Sequence, residues 1–431
     1  VSWIKRHPLL AIAALAFSLR AAAAVVTEFK PIFPAYYYTD AALIGQDAAD
    51  GLEAVEAGHP PILVGPLSQR IHLLMTLDVY RLFGPRALPV KLLNAALGAA
   101  GIAALVAAFA LVFPWPAAAA AGVALSFWPS HVFYTSQNLK ESPTHALAFC
   151  GLAAALALGT KMDAPPRRRA ALAAAAVFAL ICAGFFRSYV LLCASAALGA
   201  AFGAEALRRR SRTAAFAAAT AAAAAVLFLP ASRGLYAALQ RPGDASASIS
   251  DEERARPSLL PVTVSASNAG VVYRPTSPEG LSGFRRTRQE ADRSWAGYHM
   301  NREIGTQLFP DVTFHSWLDV LAFLPKGAFY VLFMPLPGLY PMDGKIGRIA
   351  AAAENLTLLG IALLAAAGLA RGPLTAGRAA LALYFAAMTA GAALLEFDLG
   401  SAGRHKLLYL PMLFPFAAEE LFRLLGRKEP A

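Results

Sequence analysis

Charge is scarce in this sequence: only 15% of its 431 residues are Asp, Glu, Lys or Arg, where a soluble globular chain carries about a quarter. Cysteine is scarcer still. Cys150, Cys182 and Cys193 all fall inside apolar stretches, and none has a metal-ligand spacing. An odd set of this kind argues against a disulfide framework and leaves small buried hydrophobes as the expectation. The chain also lacks a phosphate-cradling Walker loop, a Gly-x-Ser-x-Gly elbow, a His-Glu-x-x-His pair and a Cys-x-x-Cys pair. Soluble nucleotide-driven chemistry therefore has no support.

What fills the sequence is apolar. Hydrophobic residues make up 58% of it, and the mean hydropathy is +0.51. Runs long enough to cross a hydrocarbon core cover residues 8–26, 89–112, 117–134, 143–160, 170–186, 188–207, 213–230, 350–370, 376–395 and 405–422. The fold class is thus an all-α polytopic membrane protein. The net charge of +11 sits in short clusters between apolar runs, which orient a membrane protein and do not suggest nucleic acid. Lys5-Arg6-His7 precede the first run, and Arg20 near its far end favours an uncleaved span over a cleaved signal.

Two segments are ambiguous. Residues 62–83 carry Gln69, Arg70, His72, Asp78 and Arg81, while 317–340 are broken by Pro325, Lys326, Pro335 and Pro337. Basic clusters decide between crossing and lying flat. Lys161 with Arg167 to Arg169, Arg208 to Arg210 with Arg212, and Arg423, Arg427 and Lys428 should all be cytoplasmic. Parity then keeps both ambiguous segments on the outer face and gives ten spans with both termini inside. Three parts follow: residues 1–230 with outer loops 27–88 and 135–142, an outer segment 231–349 with interfacial helices at 317–340, and a C-terminal membrane module 350–431.

Charges beside membrane spans are costly, so those retained suggest function. Three clusters fall on the outer side. The first holds Tyr36 to Asp40, then Asp47 and Asp50, which share a face on a helical turn and suit a base, a cation site or a helix cap. The second is Glu141, in the short loop between spans, where it suits a pair with Lys140 or a helix N-terminus. The third is Arg404-His405-Lys406, whose basic character opposes the positive-inside tendency and suits a lipid-level phosphate or nonspecific contact with headgroups. Arg187, between two spans, falls on the same side.

The order of these motifs resembles the GT-C superfamily of integral-membrane glycosyltransferases. The resemblance rests on an acidic first outer loop, a weak helix ending in Leu82-Phe83-Gly84, the small-residue span beginning Leu92-Leu93-Asn94, and the stretch from Ala124 through Ser126-Phe127-Trp128-Pro129 to Lys140-Glu141. It covers mainly residues 1–160, and the bacterial protein-mannosyltransferase-like and aminoarabinose-transferase-like branches are nearest. It implies an enzyme of the bacterial inner membrane that moves a sugar on the outer face, from a polyprenyl-phosphate carrier to a lipid, glycan or protein acceptor. Asp47 would be the base or, with Glu141, a ligand of a divalent cation such as Mg or Mn. Gly51 stands where the family carries an aromatic, which keeps Asp40 and Asp50 as rivals. Arg404, His405, Lys406 and Arg187 would bind the carrier phosphate, and the two ambiguous segments would wall the path of the prenyl chain.

Two other readings compete. An O-antigen ligase or polysaccharide polymerase would place its site in the late loop, at Arg285, Arg286, Arg288, Arg293, His299 and Arg302. A transporter without covalent chemistry would use polar residues inside spans, for which Glu354, Asn355, Glu419 and Glu420 are the candidates.

Overall fold

In a computed structural model, residues 6–34, 37–61, 63, 66–160, 165–239, 277–300, 306–343 and 345–426 are described, without the side chains of 291–292 and 294–300. Tyr36, Lys161, Arg302, Arg427, Lys428, residues 240–276 and the His299 side chain lie outside them. The described chain is helical: α1 (Pro8–Phe29), α2 (Thr39–Glu56), α3 (Leu67–Phe83), α4 (Ala87–Phe109), α5 (Trp115–Phe127), α6 (Pro129–Tyr134), α7 (Glu141–Thr160) and α8 (Pro166–Phe186) form the first half. Then follow α9 (Ser188–Arg209), α10 (Arg212–Leu239), α11 (Pro278–Met300), α12 (Trp317–Phe333), α13 (Ile346–Arg371), α14 (Ala376–Leu395), α15 (Leu399–His405) and α16 (Leu413–Leu424).

Eight of these are long and apolar enough to cross a membrane: α1, α4, α7, α8, α9, α10, α13 and α14. The chain is a multi-pass membrane protein. The other two expected spans are interrupted. Run 117–134 divides at Trp128, which is extended (ψ 115°) because Pro129 disfavours a helical residue before it. Run 405–422 becomes the end of α15, two 3-10 turns at Lys406–Leu408 and Leu410–Met412, and α16. Both broken segments still pack within the bundle, α5 against α1 and α16, and α16 against α13.

The core is built from α4, α7, α8 and α9 with the late helices, and is filled by Phe109, Phe149, Leu156, Phe202 and Tyr409. The three cysteines are free but are not core residues: Cys150 is exposed and Cys182 and Cys193 are half-buried. Their helices turn those faces outward, as a membrane helix can at no polar cost. Segment 62–83 contributes α3, which packs with α2 over a small core of Ala48, Leu52, Leu73 and Leu77. Segment 317–340 is one helix, α12, started by a Ser316–Asp319 capping box, and its tail buries Met334 and Leu336 in the main core.

Candidate active site

The break at Pro129 places residues 135–140 inside the protein. Thr135, Ser136, Gln137 and Asn138 are buried, against the expectation of a surface loop. Polar atoms on three helices hold this loop. Asn94 of α4 donates to the carbonyls of Gln137 and Leu139 (2.5 and 3.1 Å). Gln137 donates to Thr27 of α1 (3.0 Å), and Asn138 Oδ1 accepts from His72 and Thr76 of α3 (3.1 and 3.2 Å). A Cβ at Gly98 would stand 2.8 Å from Thr135, so the close approach of α4 to this loop requires glycine there.

The loop delivers Glu141 to the start of α7, where it meets Arg187 and not Lys140. Arg187 is the single extended residue at the vertex between α8 and α9. Its Nη2 donates to Glu141 Oε1 at 2.7 Å, and both side chains are nearly sealed, 9% and 3% exposed. Arg187 Nη1 donates to His405 Nε2 (2.5 Å) and to the Tyr189 hydroxyl (3.1 Å). A guanidinium only donates, so Nε2 of His405 is an acceptor and its ring proton lies on Nδ1. That Nδ1–H donates to Glu396 Oε1, at the end of α14. Burial and then Arg187 push the His405 pKa down against the pull of Glu396, in accord with this neutral tautomer. The result is a chain of Glu396, His405, Arg187 and Glu141 across four segments.

Next to it, Arg404 Nη1 donates to Asp40 at 2.5 Å, with the two side chains 24% and 49% exposed. Lys140 donates to Ser68 of α3 (3.2 Å), and burial followed by the charge of Arg187 lowers its pKa to about 8. Thus Asp40, Glu141, Arg187, Arg404 and His405, distant in sequence, gather at one end of the bundle. Glu396 and Tyr189 join them without having been singled out, since a lone Glu and a lone Tyr at helix ends carry no pattern.

Four expected roles change. Asp47 and Asp50 lie in the middle of α2, so neither caps a helix. Asp50 is exposed and accepts from Gln46 (2.7 Å). Asp47 is half-buried and has no ion-pair partner among the described residues, and burial followed by the charge of Asp50 raises its pKa. It lies on the same helix face as Asp40, about 10 Å further along by helix rise. Lys406 leaves the clamp: it is buried and donates to Asn355 (2.5 Å) and to the Leu332 carbonyl (3.3 Å). Nor do the surroundings of Glu141 fit a divalent cation, because the charged groups acting on it are the cations Arg187, Arg404 and Lys140. Among the described residues no three His, Cys, Asp or Glu side chains are grouped as metal ligands.

Of the residues behind the competing readings, Arg286, Arg288 and Arg293 are exposed on α11, while others are tied up in packing. Arg285 donates to the carbonyls of Leu394 and Leu308. Glu354 accepts from Ser130 (2.9 and 2.5 Å), while Glu419 and Glu420 are paired with arginines. A separate groove of about 370 Å³ has an apolar lining of Ile71 and Leu74 of α3, Leu147 of α7, Phe178 and Phe186 of α8 and Leu235 of α10. Of the two ambiguous segments, α3 lines it and 317–340 does not.

No protein-family model matches the chain, and no curated protein matches it in sequence. Solved structures match in fold. The archaeal oligosaccharyltransferase AglB from Archaeoglobus fulgidus, in complex with an inhibitory peptide and a dolichol-phosphate, superposes with a TM-score of 0.53 at 13% identity, covering 98% of this chain and 51% of AglB. Its apo form gives 0.52 at 13% identity, with 99% and 52% covered. ArnT from Cupriavidus metallidurans bound to undecaprenyl phosphate aligns over 97% of this chain and 77% of its own at 16% identity, with a TM-score of 0.38. The chain spans about half the length of AglB and shares its fold.

Proposed function

We propose that this protein is a membrane glycosyltransferase that moves a sugar from a polyprenyl-phosphate carrier to an acceptor hydroxyl at the face bearing Glu141. The observation that carries this reading is the buried Glu396–His405–Arg187–Glu141 chain with the cations Arg404 and Lys140 beside it at one end of the bundle. A lipid phosphate is the anion such a site suits. The shared fold adds weight, because AglB was solved with a dolichol-phosphate.

The chemistry divides among the residues. Asp47, without an ion-pair partner among the described residues and with a raised pKa, is the base, ahead of ion-paired Asp40 and exposed Asp50. It takes the acceptor's hydroxyl proton as the oxygen attacks the anomeric carbon. The bond from that carbon to the phosphate oxygen breaks with inversion, and the electron pair leaves on the carrier phosphate. Arg187 and Arg404 stabilise the charge that grows there. Glu141, held by Arg187, orients that guanidinium. The apolar groove under α3 suits the prenyl chain. Arg167 to Arg169 and Arg208 to Arg210 lie at the helix ends opposite Arg187, which supports reading that end as the cytoplasmic one, in a bacterial inner membrane with both termini on that side. The acceptor is a lipid, glycan or protein.

The test is turnover of polyprenyl-phosphate hexoses and pentoses by the protein in proteoliposomes, read as release of free polyprenyl phosphate. Release that depends on Asp47 and Arg187 supports the reading. Release that persists with Asp47→Asn and Glu141→Gln combined, or transport without any release, sinks it.

A further inference from the structure

The polar network does not stop at Glu141. One turn further along α7, His145 is fully buried, and neither of its ring nitrogens has a hydrogen-bond partner among the described residues. Its ring lies 5.0 Å from that of His131 on α6. His131 has a fixed tautomer. Arg20, at 0% exposure inside α1, approaches its Nδ1 with Nη2 at 2.8 Å, so Nδ1 accepts and the ring proton sits on Nε2. That Nε2–H is buried and unpartnered. One turn back on the same helix, Glu141 gives Oε1 to Arg187 while its Oε2 is buried and unpartnered too.

These atoms complement one another. His131 Nε2–H only donates, Glu141 Oε2 only accepts, and a neutral imidazole between them does one of each. Leaving each dry costs about 1–3 kcal/mol, and buried water is the usual remedy where polar atoms converge. The charged groups that face His145 are Glu141 on its own helix, Arg20 from α1 and Arg187 from the α8–α9 vertex, with the neutral ring of His405 from α15 among them. The two guanidiniums oppose a further positive charge, so His145 serves as a neutral link and no proton has to move through it.

We propose that buried water joins Arg20–His131 to the Glu141–Arg187–His405–Glu396 chain through His145. His145 is then a positioning residue: it fixes Glu141 Oε2, and Glu141 in turn aims Arg187. This rests on the reading of Arg187 as a phosphate-binding cation. Arg20 would act through the same link, since it holds the His131 tautomer that starts it.

Two measurements test the link. In turnover assays His145→Leu should lower kcat about tenfold, as expected for slight misplacement of a binding group. His145→Asn, which keeps a donor and an acceptor, should recover most of that loss. With Arg187→Ala already present, His145→Leu should cost nothing more. Equal losses in both backgrounds, or wild-type turnover by His145→Leu, overturn the positioning role. Independently of turnover, water-edited NMR of ¹⁵N-histidine-labelled protein in liposomes should show transfer from water to a ring nitrogen that is lost in His145→Asn. Absence of that transfer overturns the water link. A wild-type protein with no turnover on any polyprenyl-phosphate sugar counts against the proposed function alone, and the NMR result still decides the link.

Discussion

At the end of the bundle opposite Glu141, Arg378 and Glu419 meet with both carboxylate oxygens taken, at 2.9 and 2.5 Å. At the Glu141 end, Arg187 takes only one oxygen (2.7 Å) and leaves the other buried and unpartnered, as is its own Nε. The contrast extends outward. Arg378 also donates to the Val112 carbonyl and lies 4.5 Å over the Phe113 ring, while the neighbouring Glu420 is shared by Arg371 and Arg423. Around Glu141 the extra charges are cations, and the gaps in hydrogen bonding cluster on residues 131–145. Both ends bury charge, which is expensive. A saturated pair needs nothing else and acts as a lock between α14 and α16. An unsaturated, cation-rich one stays expensive until a ligand or water completes it, which is the signature of a site.

The largest test of that contrast removes the central guanidinium at the open end. Arg187→Ala should cut transfer per folded molecule by about 10²- to 10³-fold, the usual loss for a group that stabilises transition-state charge, with a stability cost as well, because it leaves Glu141 buried with only Arg404 and Lys140 to offset its charge. Removing the matching group at the closed end should cost stability alone. Arg378→Ala leaves Glu419 buried without its partner and should cost about 3–5 kcal/mol of stability, with unchanged activity per folded molecule. Replacing the pair together, Arg378→Met with Glu419→Leu, should restore most of that stability. If instead Arg187→Ala mainly unfolds the protein and Arg378→Ala mainly inactivates it, the assignment of lock and site is inverted.

Much of the contrast could be read from the sequence, though unevenly. Run length and basic clusters gave α1, α4, α7 to α9, α13 and α14 within four residues, because lipid imposes one pattern on every spanning helix, while α10 runs nine residues past its expected end to Leu239. Parity placed Asp40, Glu141, Arg187, Arg404 and His405 on one side, and their contacts join them there. The sequence was less informative where a short polar stretch folds inward. Residues 135–140 look like a surface loop, and only the three-helix clasp through Asn94, Thr27 and His72 buries them. Lys406 looked like its neighbours Arg404 and His405, yet the 3-10 turn that starts at it points it toward Asn355. Asp47 and Asp50 looked like a cap because α2 begins before Asp40, earlier than the apolar pattern shows.

The open end should also answer to pH where the closed end does not. Asp47, with its pKa raised by burial and by Asp50, loses its proton later than an ordinary aspartate as pH rises. Transfer should therefore climb with pH through a value above that of an ordinary aspartate. Lys140, lowered to about 8, loses its charge above that point. Affinity for the phosphate donor should then weaken by up to about tenfold as one cationic contact is lost. The profile is a bell. Lys140→Arg should move only its alkaline limb upward, and an unmoved limb would remove Lys140 from the site.

The smallest expected effect discriminates most sharply among the acids. Asp40 is about half exposed and its pair with Arg404 faces solvent. Such pairs contribute about 0–1 kcal/mol, so Asp40→Asn should leave stability and kcat within about threefold of wild type by that measure. The donor KM should fall slightly, because Arg404 is freed for phosphate. Asp47→Asn, one face and about 10 Å along the same helix, should abolish turnover with the fold intact. The reverse result would make Asp40 the base. It would also mean that the Arg404 pair opens in every cycle, and the end that binds charge and the end that locks it would then differ in motion as well as in saturation.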